Sequence, residues 1–410
     1  MGTLKEISVI QELENGSILS PKGFVAGGTH AGLRYAKKDI GMICSEVPAN
    51  SAAVYTLNHF QAAPLKVTQE SLQNGGVLKA VVVNSACANA CTGVKGLQDA
   101  YEMRDLAAKK VGVEPHFVAV ASTGVIGEYL KMDKITNGIT EIKLGSEVQC
   151  AEDFQTAILT TDTCMKQCGF QANIDGKIVS MGGAAKGSGM IHPNMATMLG
   201  FVTTDANISP KYLHQALKAV TNVTFNQITV DGDTSTNDMV LIMANGLAEN
   251  TPLSPNHPEW ETFLLLLSET CESLAKQIAK DGEGATKLVE VNVVGAENEE
   301  DARRVAKQII GSNLVKTAIF GADANWGRII SAVGKAEVKV KPSLISISIG
   351  PIHMLESGTP VPFSEEDASL YLQNDFINIH VDLHSGNESG KAWGCDLSYD
   401  YVKINASYRT

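Results

Sequence analysis

Apolar and polar positions alternate with a period of two in six short stretches, at 80–83, 117–121, 288–294, 316–320, 344–349 and 377–383. Successive side chains of an extended chain point to opposite faces, so each stretch predicts a strand. Between them the period lengthens to that of a helix. The clearest case is 300–311, where Ala302, Val305, Ala306, Ile309 and Ile310 form one apolar stripe and Gly311 marks its end. A second runs over 258–280, with Trp260, Phe263, Leu264 and Leu267 on the inward face. Strands interleaved with amphipathic helices predict an α/β fold, two-lobed, whose helices cover the faces of largely antiparallel or mixed sheets. No internal repeat of fixed period is evident.

Composition narrows the class. A chain of 410 residues, 44% hydrophobic and 19% charged, with 37 glycines, suits a globular enzyme with an ample core. Its length allows two or three domains or one large architecture with two lobes. The net charge of -12, with Lys and Arg scattered, argues against nucleic acid as a partner, since a phosphate backbone needs a basic face. The start, MGTLKEISVIQELENGS, is mixed and acidic, and no apolar run approaches the ~20 residues of a membrane span. We therefore expect no targeting peptide, no membrane and a cytoplasmic protein. Eight cysteines are too sparse for a disulfide framework at this length. Cys87/Cys91 and Cys164/Cys168 are spaced to share a helical face, yet no His follows at finger-like spacing, so no structural metal is expected.

Glycine is concentrated in one place. The segment 182–200, GGAAKGSGMIHPNMATMLG, is neither ordinary helix nor ordinary strand, and Gly182, Gly183, Gly187 and Gly189 let its amides approach a ligand or a neighbouring strand. It is a poor phosphate loop, because Lys186 precedes Gly187 and Ser188 instead of following the last Gly. It does bring Lys186, His192, Asn194 and Thr197 within a dozen residues, a polar density that a plain core strand would avoid. Taken alone, Thr197 is a hydroxyl among small and apolar residues.

The run MIHPNMATML, with Lys186 eleven residues before Thr197, resembles the cleavage and nucleophile motif of the ornithine acetyltransferases, also called glutamate N-acetyltransferases. The resemblance extends in order through SPKGF (20–24), CSEVPANSAAVYTLNHFQAAP (44–64), ASTGVIG, TTDT (160–163), TVDGDTSTND (229–238), GADANWGRI (321–329) and the terminal INASYRT, and so covers essentially the whole chain. It implies an N-terminal-nucleophile-like, self-cleaving fold cut between Ala196 and Thr197. The products would be an α chain of residues 1–196 and a β chain of residues 197–410, that is 410 − 196 = 214 residues. It implies Thr197 as nucleophile, and a freed α-amino group, with a reference pKa of ~8, is a sensible base for it. It assigns oxyanion stabilisation to Thr123 and Gly124, and substrate binding to Thr160, Lys186, Thr197, Glu283, Asn405 and Thr410. Lys186 suits an α-carboxylate, Glu283 a side-chain ammonium and Asn405 further polar groups.

The reaction so implied is ping-pong transfer of acetyl from N-acetylornithine to glutamate, without metal or organic cofactor, in arginine biosynthesis. Acetyl-CoA is a possible second acetyl donor, and an α2β2 heterotetramer the implied assembly. Two other readings stay open: a hydrolase of related fold in which water takes the acyl group, and a non-catalytic amino-acid-binding protein. His192, beside Pro193, is expected to orient the cleavage loop, and Asn325, Trp326 and Arg328 to be structural or at the site edge. Two departures stand out: NSACANACTG (84–93) has Ala86 and Cys87 where the family pattern has Gly and Asn, and Ala324 stands where Pro is common. Since Ala tolerates positive φ poorly, a changed backbone angle is expected around Ala86.

Overall fold

The computed structural model describes residues 9–192 and 198–407. Asn194, Ala196, Thr197 and Thr410, all singled out above, lie outside the described residues. The described chain forms two mixed sheets with helices against them, as the alternation of periods predicts.

The first sheet has nine strands. Its centre is a run of neighbours: Lys177–Lys186, Leu199–Thr204, Met239–Ala244, Ile40–Tyr55, Val77–Asn84 and Val118–Ser122. Leu199–Thr204 is antiparallel to Lys177–Lys186 and parallel to Met239–Ala244, with Leu199 opposite both Lys186 and Met239. Val77–Asn84 and Val118–Ser122 are parallel, and such doubly covered strands read as continuous apolar runs. Helices Pro210–Val223 and Trp260–Lys280 pack on one face through Leu213, Leu217, Phe263, Leu267 and Leu274. Helix Val148–Ile158 packs on the other, where Phe154 meets Phe201 edge to face.

The second sheet has seven strands and includes Leu288–Ala296, Ser346–Ile349, Phe376–Asp382 and Glu388–Cys395. Helix Glu299–Ile310 lies on it with all five residues of the expected apolar stripe buried. The side chain of Asn298 caps this helix by accepting from the Asp301 amide at 2.9 Å. Trp393 of the second sheet packs into the core that helix Trp260–Lys280 shares with the first, and its ring nitrogen donates to Glu290 on the neighbouring strand at 2.7 Å.

Two expectations fail. The stretch 316–320 is not a strand but the body of helix Asn313–Phe320, started by Ser312, whose hydroxyl accepts from the Val315 amide. Five residues cannot separate the two periods, and the cap decides. Nor do the cysteine pairs share helical faces: Cys87 and Cys91 lie in the irregular segment after Val77–Asn84, and Cys164 precedes strand Lys166–Ile174, which contains Cys168.

Candidate active site

Four strand ends of the first sheet converge on one cavity of about 200 Å³. Strand Val118–Ser122 delivers Thr123 and Gly124, strand Lys177–Lys186 delivers Lys186, and the parallel pair Leu199–Thr204 and Met239–Ala244 brings Met198 and Asp238 to its wall. Ligands of α/β proteins collect at strand ends of this kind because loops diverge there. Of the expected site residues in the described chain, Thr123, Gly124, Thr160, Lys186, Glu283 and Asn405 all line this cavity.

The Thr123–Gly124 corner is held from several sides. The Thr123 amide donates to the Asn84 carbonyl at 3.0 Å, and the Val125 amide to the Ala86 carbonyl at 3.0 Å. The Asn237 side-chain amide donates to the carbonyls of Ser122 at 2.9 Å and Ala88 at 2.5 Å. Gly124 has φ +129, and a Cβ there would overlap the carbonyl group of Ala86, so only glycine fits. Ala86 itself takes φ +94. The departure from the family pattern therefore leaves the backbone in a glycine-like conformation with an alanine in it.

Lys186 is 8% exposed, and its ammonium donates to the Thr123 hydroxyl at 3.3 Å. Burial pushes its pKa down, with Asp162 pulling the other way. Glu283 is buried in the same lining, where its Oε2 accepts from the Asn405 side chain at 2.8 Å and its amide donates to the Ser188 carbonyl at 3.0 Å. The site thus offers both a cation and an anion to a ligand. Gly189 passes so close to Glu283 that a side chain there would overlap its carboxylate.

Behind this wall lies a second buried lysine. Lys166 has no exposed surface and donates to Asp162 at 2.7 Å and to Asp281 at 2.5 Å. Asp162 also accepts from the amides of Gly187 at 2.7 Å and Thr160 at 2.8 Å, and Asp281 from the amide of Thr163 at 3.0 Å. Burial alone would raise the Asp162 pKa, but Lys186 and Lys166 hold it well below the usual carboxylate range. The knot fixes the segments that carry Thr160, Lys186 and Glu283 relative to one another.

His192 lies off the cavity wall. Its Nδ1 is 2.9 Å from the Thr229 hydroxyl and its carbonyl accepts from Thr234 at 3.1 Å. Burial, and secondarily Lys307, pushes its pKa down to about 4, so the ring is neutral near pH 7 and fit for positioning. Asn325 caps helix Trp326–Gly334, and Arg328 donates to the Leu314 carbonyl at 2.7 Å; neither reaches the cavity. Sequence reading missed Asp162, Asp231, Asn237, Asp238 and Tyr401. Three of these stand in TVDGDTSTND, whose density of polar residues next to an apolar strand was the available signal.

The sequence model of the ArgJ family matches residues 25–410. The arginine biosynthesis bifunctional protein ArgJ of Geobacillus kaustophilus is 63% identical over 410 residues, spanning 100% of both chains. That of Bacillus subtilis is 60% identical over 395 residues, 96% of this chain and 97% of the relative. The crystal structure of the ArgJ protein from Bacillus halodurans superposes with a TM-score of 0.51 at 63% identity, covering 52% of this chain and 100% of that chain. A family match over residues 25–410, with 63% identity to a relative across the whole chain, establishes that the chain belongs to the ArgJ family.

Proposed function

We propose that this cavity transfers acetyl from N2-acetyl-L-ornithine to L-glutamate through an acyl-enzyme on Thr197, yielding N-acetylglutamate and ornithine in arginine biosynthesis. The observation that carries the reading is the convergence of Lys186, the Thr123–Gly124 corner and the Glu283–Asn405 pair on one cavity of about 200 Å³. Pockets for drug-sized ligands run to roughly 300–1,000 Å³, so a small amino-acid derivative suits this one. Lys186 takes the α-carboxylate and Glu283, steadied by Asn405, the side-chain ammonium, while Thr160 and the terminal Thr410 complete the binding set. Thr123 and Gly124 stabilise the oxyanion formed when the Thr197 hydroxyl attacks, an effect worth about 3 kcal/mol per donor.

Thr197 acquires its base by self-cleavage at Ala196–Thr197, which frees its α-amino group and leaves chains 1–196 and 197–410. An α2β2 assembly in the cytoplasm, and acetyl-CoA as a second acetyl donor, belong to the same reading.

The test is intact mass spectrometry of the purified wild type beside Thr197→Ala. Two fragments in the wild type, starting at Met1 and Thr197, with one uncut chain in the variant, are expected. A single full-length mass for both proteins would overturn the mechanism.

A further inference from the structure

Among the carboxylates that face the cavity, Asp238 differs from its neighbours. Asp231 accepts from the amides of Met190 at 2.6 Å and Ile191 at 2.9 Å, and Glu283 accepts from Asn405. Asp238 is 4% exposed, and its Oδ2 has no hydrogen-bond partner among the described residues. A buried carboxyl oxygen without a partner is costly, and a protein retains one where a ligand completes it. The parallel ladder fixes where it sits. Met239 is opposite Leu199 and its amide donates to the Met198 carbonyl at 2.9 Å, so Asp238 lies beside Met198, the residue that follows Thr197.

The titratable groups that share the cavity with Asp238 are Lys186 at the end of its strand, Asp231 and Asp233 in the loop before it, Glu283 beyond helix Trp260–Lys280, and Tyr401 on the C-terminal helix. Burial pushes the Asp238 carboxyl well above the usual carboxylate range, against hydrogen bonding from Ser235 and the field of Lys186. Burial thus favours its protonated form.

Exchange of one amine for another near neutral pH is assisted by such a group. Acylation breaks the C–N bond of the substrate amide and forms a threonine ester, and the threonine hydroxyl proton moves to the departing nitrogen, leaving a neutral amine. That amine takes one further proton to leave as an ammonium. Glutamate arrives as an ammonium and loses one proton before its lone pair can attack the ester. When the ester collapses, a second proton passes from the new amide nitrogen to the threonine oxygen. The proton gained by ornithine therefore equals the one released by glutamate.

We propose that Asp238 is a catalytic residue of both half-reactions, giving its carboxyl proton to the departing ornithine amine and, as the carboxylate, taking one from the ammonium of incoming glutamate. The inference rests on the acyl-threonine reading above, and its test separates the two. Asp238→Asn keeps the shape of the side chain but can neither give nor take a proton. The acetylated enzyme is prepared with N-acetylornithine alone, detected as an acetyl adduct on the chain that begins at Thr197. Its decay is then timed with glutamate, whose amine is charged near neutral pH, and with hydroxylamine, which is uncharged there.

In the variant, glutamate-driven decay should fall by roughly 10²–10⁴-fold, while hydroxylamine-driven decay stays within a few-fold of wild type. Glutamate-driven decay should also recover about tenfold per pH unit as the free amine grows. Equal losses with both acceptors, or no loss with either, would overturn the role of Asp238. The absence of any adduct in the wild type would instead overturn the acyl-threonine reading. Should the variant fail to fold or to cleave, the wild type decides: its decay with glutamate is expected to be flat through neutral pH. A climb of about tenfold per unit there would mean that no group in the site takes the proton.

Discussion

Two lysines are buried within one stretch of the first sheet, and they are treated in opposite ways. Lys166 has no exposed surface and meets two carboxylates, Asp162 and Asp281, which are themselves bound by backbone amides. Lys186 is also buried, but its hydrogen bond goes to a hydroxyl at 3.3 Å, and it faces a cavity. One charge is neutralised by the fold; the other is held for something that arrives. Desolvation costs several kcal/mol per ion, so an incompletely paired buried charge in a cleft marks where a ligand's opposite charge belongs.

The comparison breaks most visibly at Lys166. Lys166→Met leaves Asp162 and Asp281 buried without their cation, and truncating one side of a buried ion pair costs about 3–5 kcal/mol. Chemical denaturation should show a loss of this size, with activity falling as Thr160 and Gly187 lose their anchor. The acid limb should move as well. Asp162 is held below its ordinary value by Lys186 and Lys166 against the opposing effect of burial. Its contribution is thus fully present above pH ~4 and lost as pH falls through the lower folded value. Without Lys166 that loss should begin at higher pH. A variant as stable as wild type at every pH would show that the knot is not what holds these segments.

Lys186→Met should do the reverse. Burial lowers the pKa of this ammonium, with Asp162 opposing. A buried base shifted down destabilises the fold below its folded pKa, and the penalty fades as pH rises through it. The variant should therefore melt no lower than wild type near neutral pH, with the difference shrinking toward alkaline pH. Its KM for N-acetylornithine should rise ~10–100-fold, the loss of a charged hydrogen bond of about 1.5–3 kcal/mol. A drop in melting temperature without a change in KM would make Lys186 a second structural lysine.

The frame around this contrast was legible in the sequence; the contrast itself was not. The second sheet and its helix Glu299–Ile310 follow from periodicity, because each residue there answers to one apolar face. The site residues came from matched motifs, and Lys186, Thr123, Gly124, Thr160, Glu283 and Asn405 do meet at one cavity. The carboxylates beside them did not declare their parts. Asp162 in TTDT and Asp238 in TVDGDTSTND look like any acid in a polar loop until the strand register sets one against Lys166 and the other beside Met198. The helix Asn313–Phe320 was hidden by its length, since two turns of apolar residues carry too little periodicity to outvote alternation.

The smallest expected effect sharpens the same picture on the Thr123–Gly124 side of the cavity. Ala86 is held at φ +94, a region that costs a non-glycine residue about 1–2 kcal/mol, while its carbonyl accepts from the Val125 amide next to Gly124. The strain is maintained by the surrounding bonds: Asn84 with Ser122 and Thr123, and Asn237 with Ser122 and Ala88. Ala86→Gly removes the clash of Cβ with its own backbone but loosens the unfolded chain, which offsets about 0.4–1 kcal/mol. The side chain is only partly buried, so little packing is lost. A net gain of about 0.5–1 kcal/mol in denaturant unfolding is therefore expected, with kcat/KM within about twofold of wild type, since the bonds that aim the Thr123–Gly124 corner are backbone bonds that glycine retains. A loss of stability would mean that the alanine methyl contributes packing that outweighs the strain. A large loss of kcat/KM at unchanged stability would mean that the strain itself keeps the corner aimed.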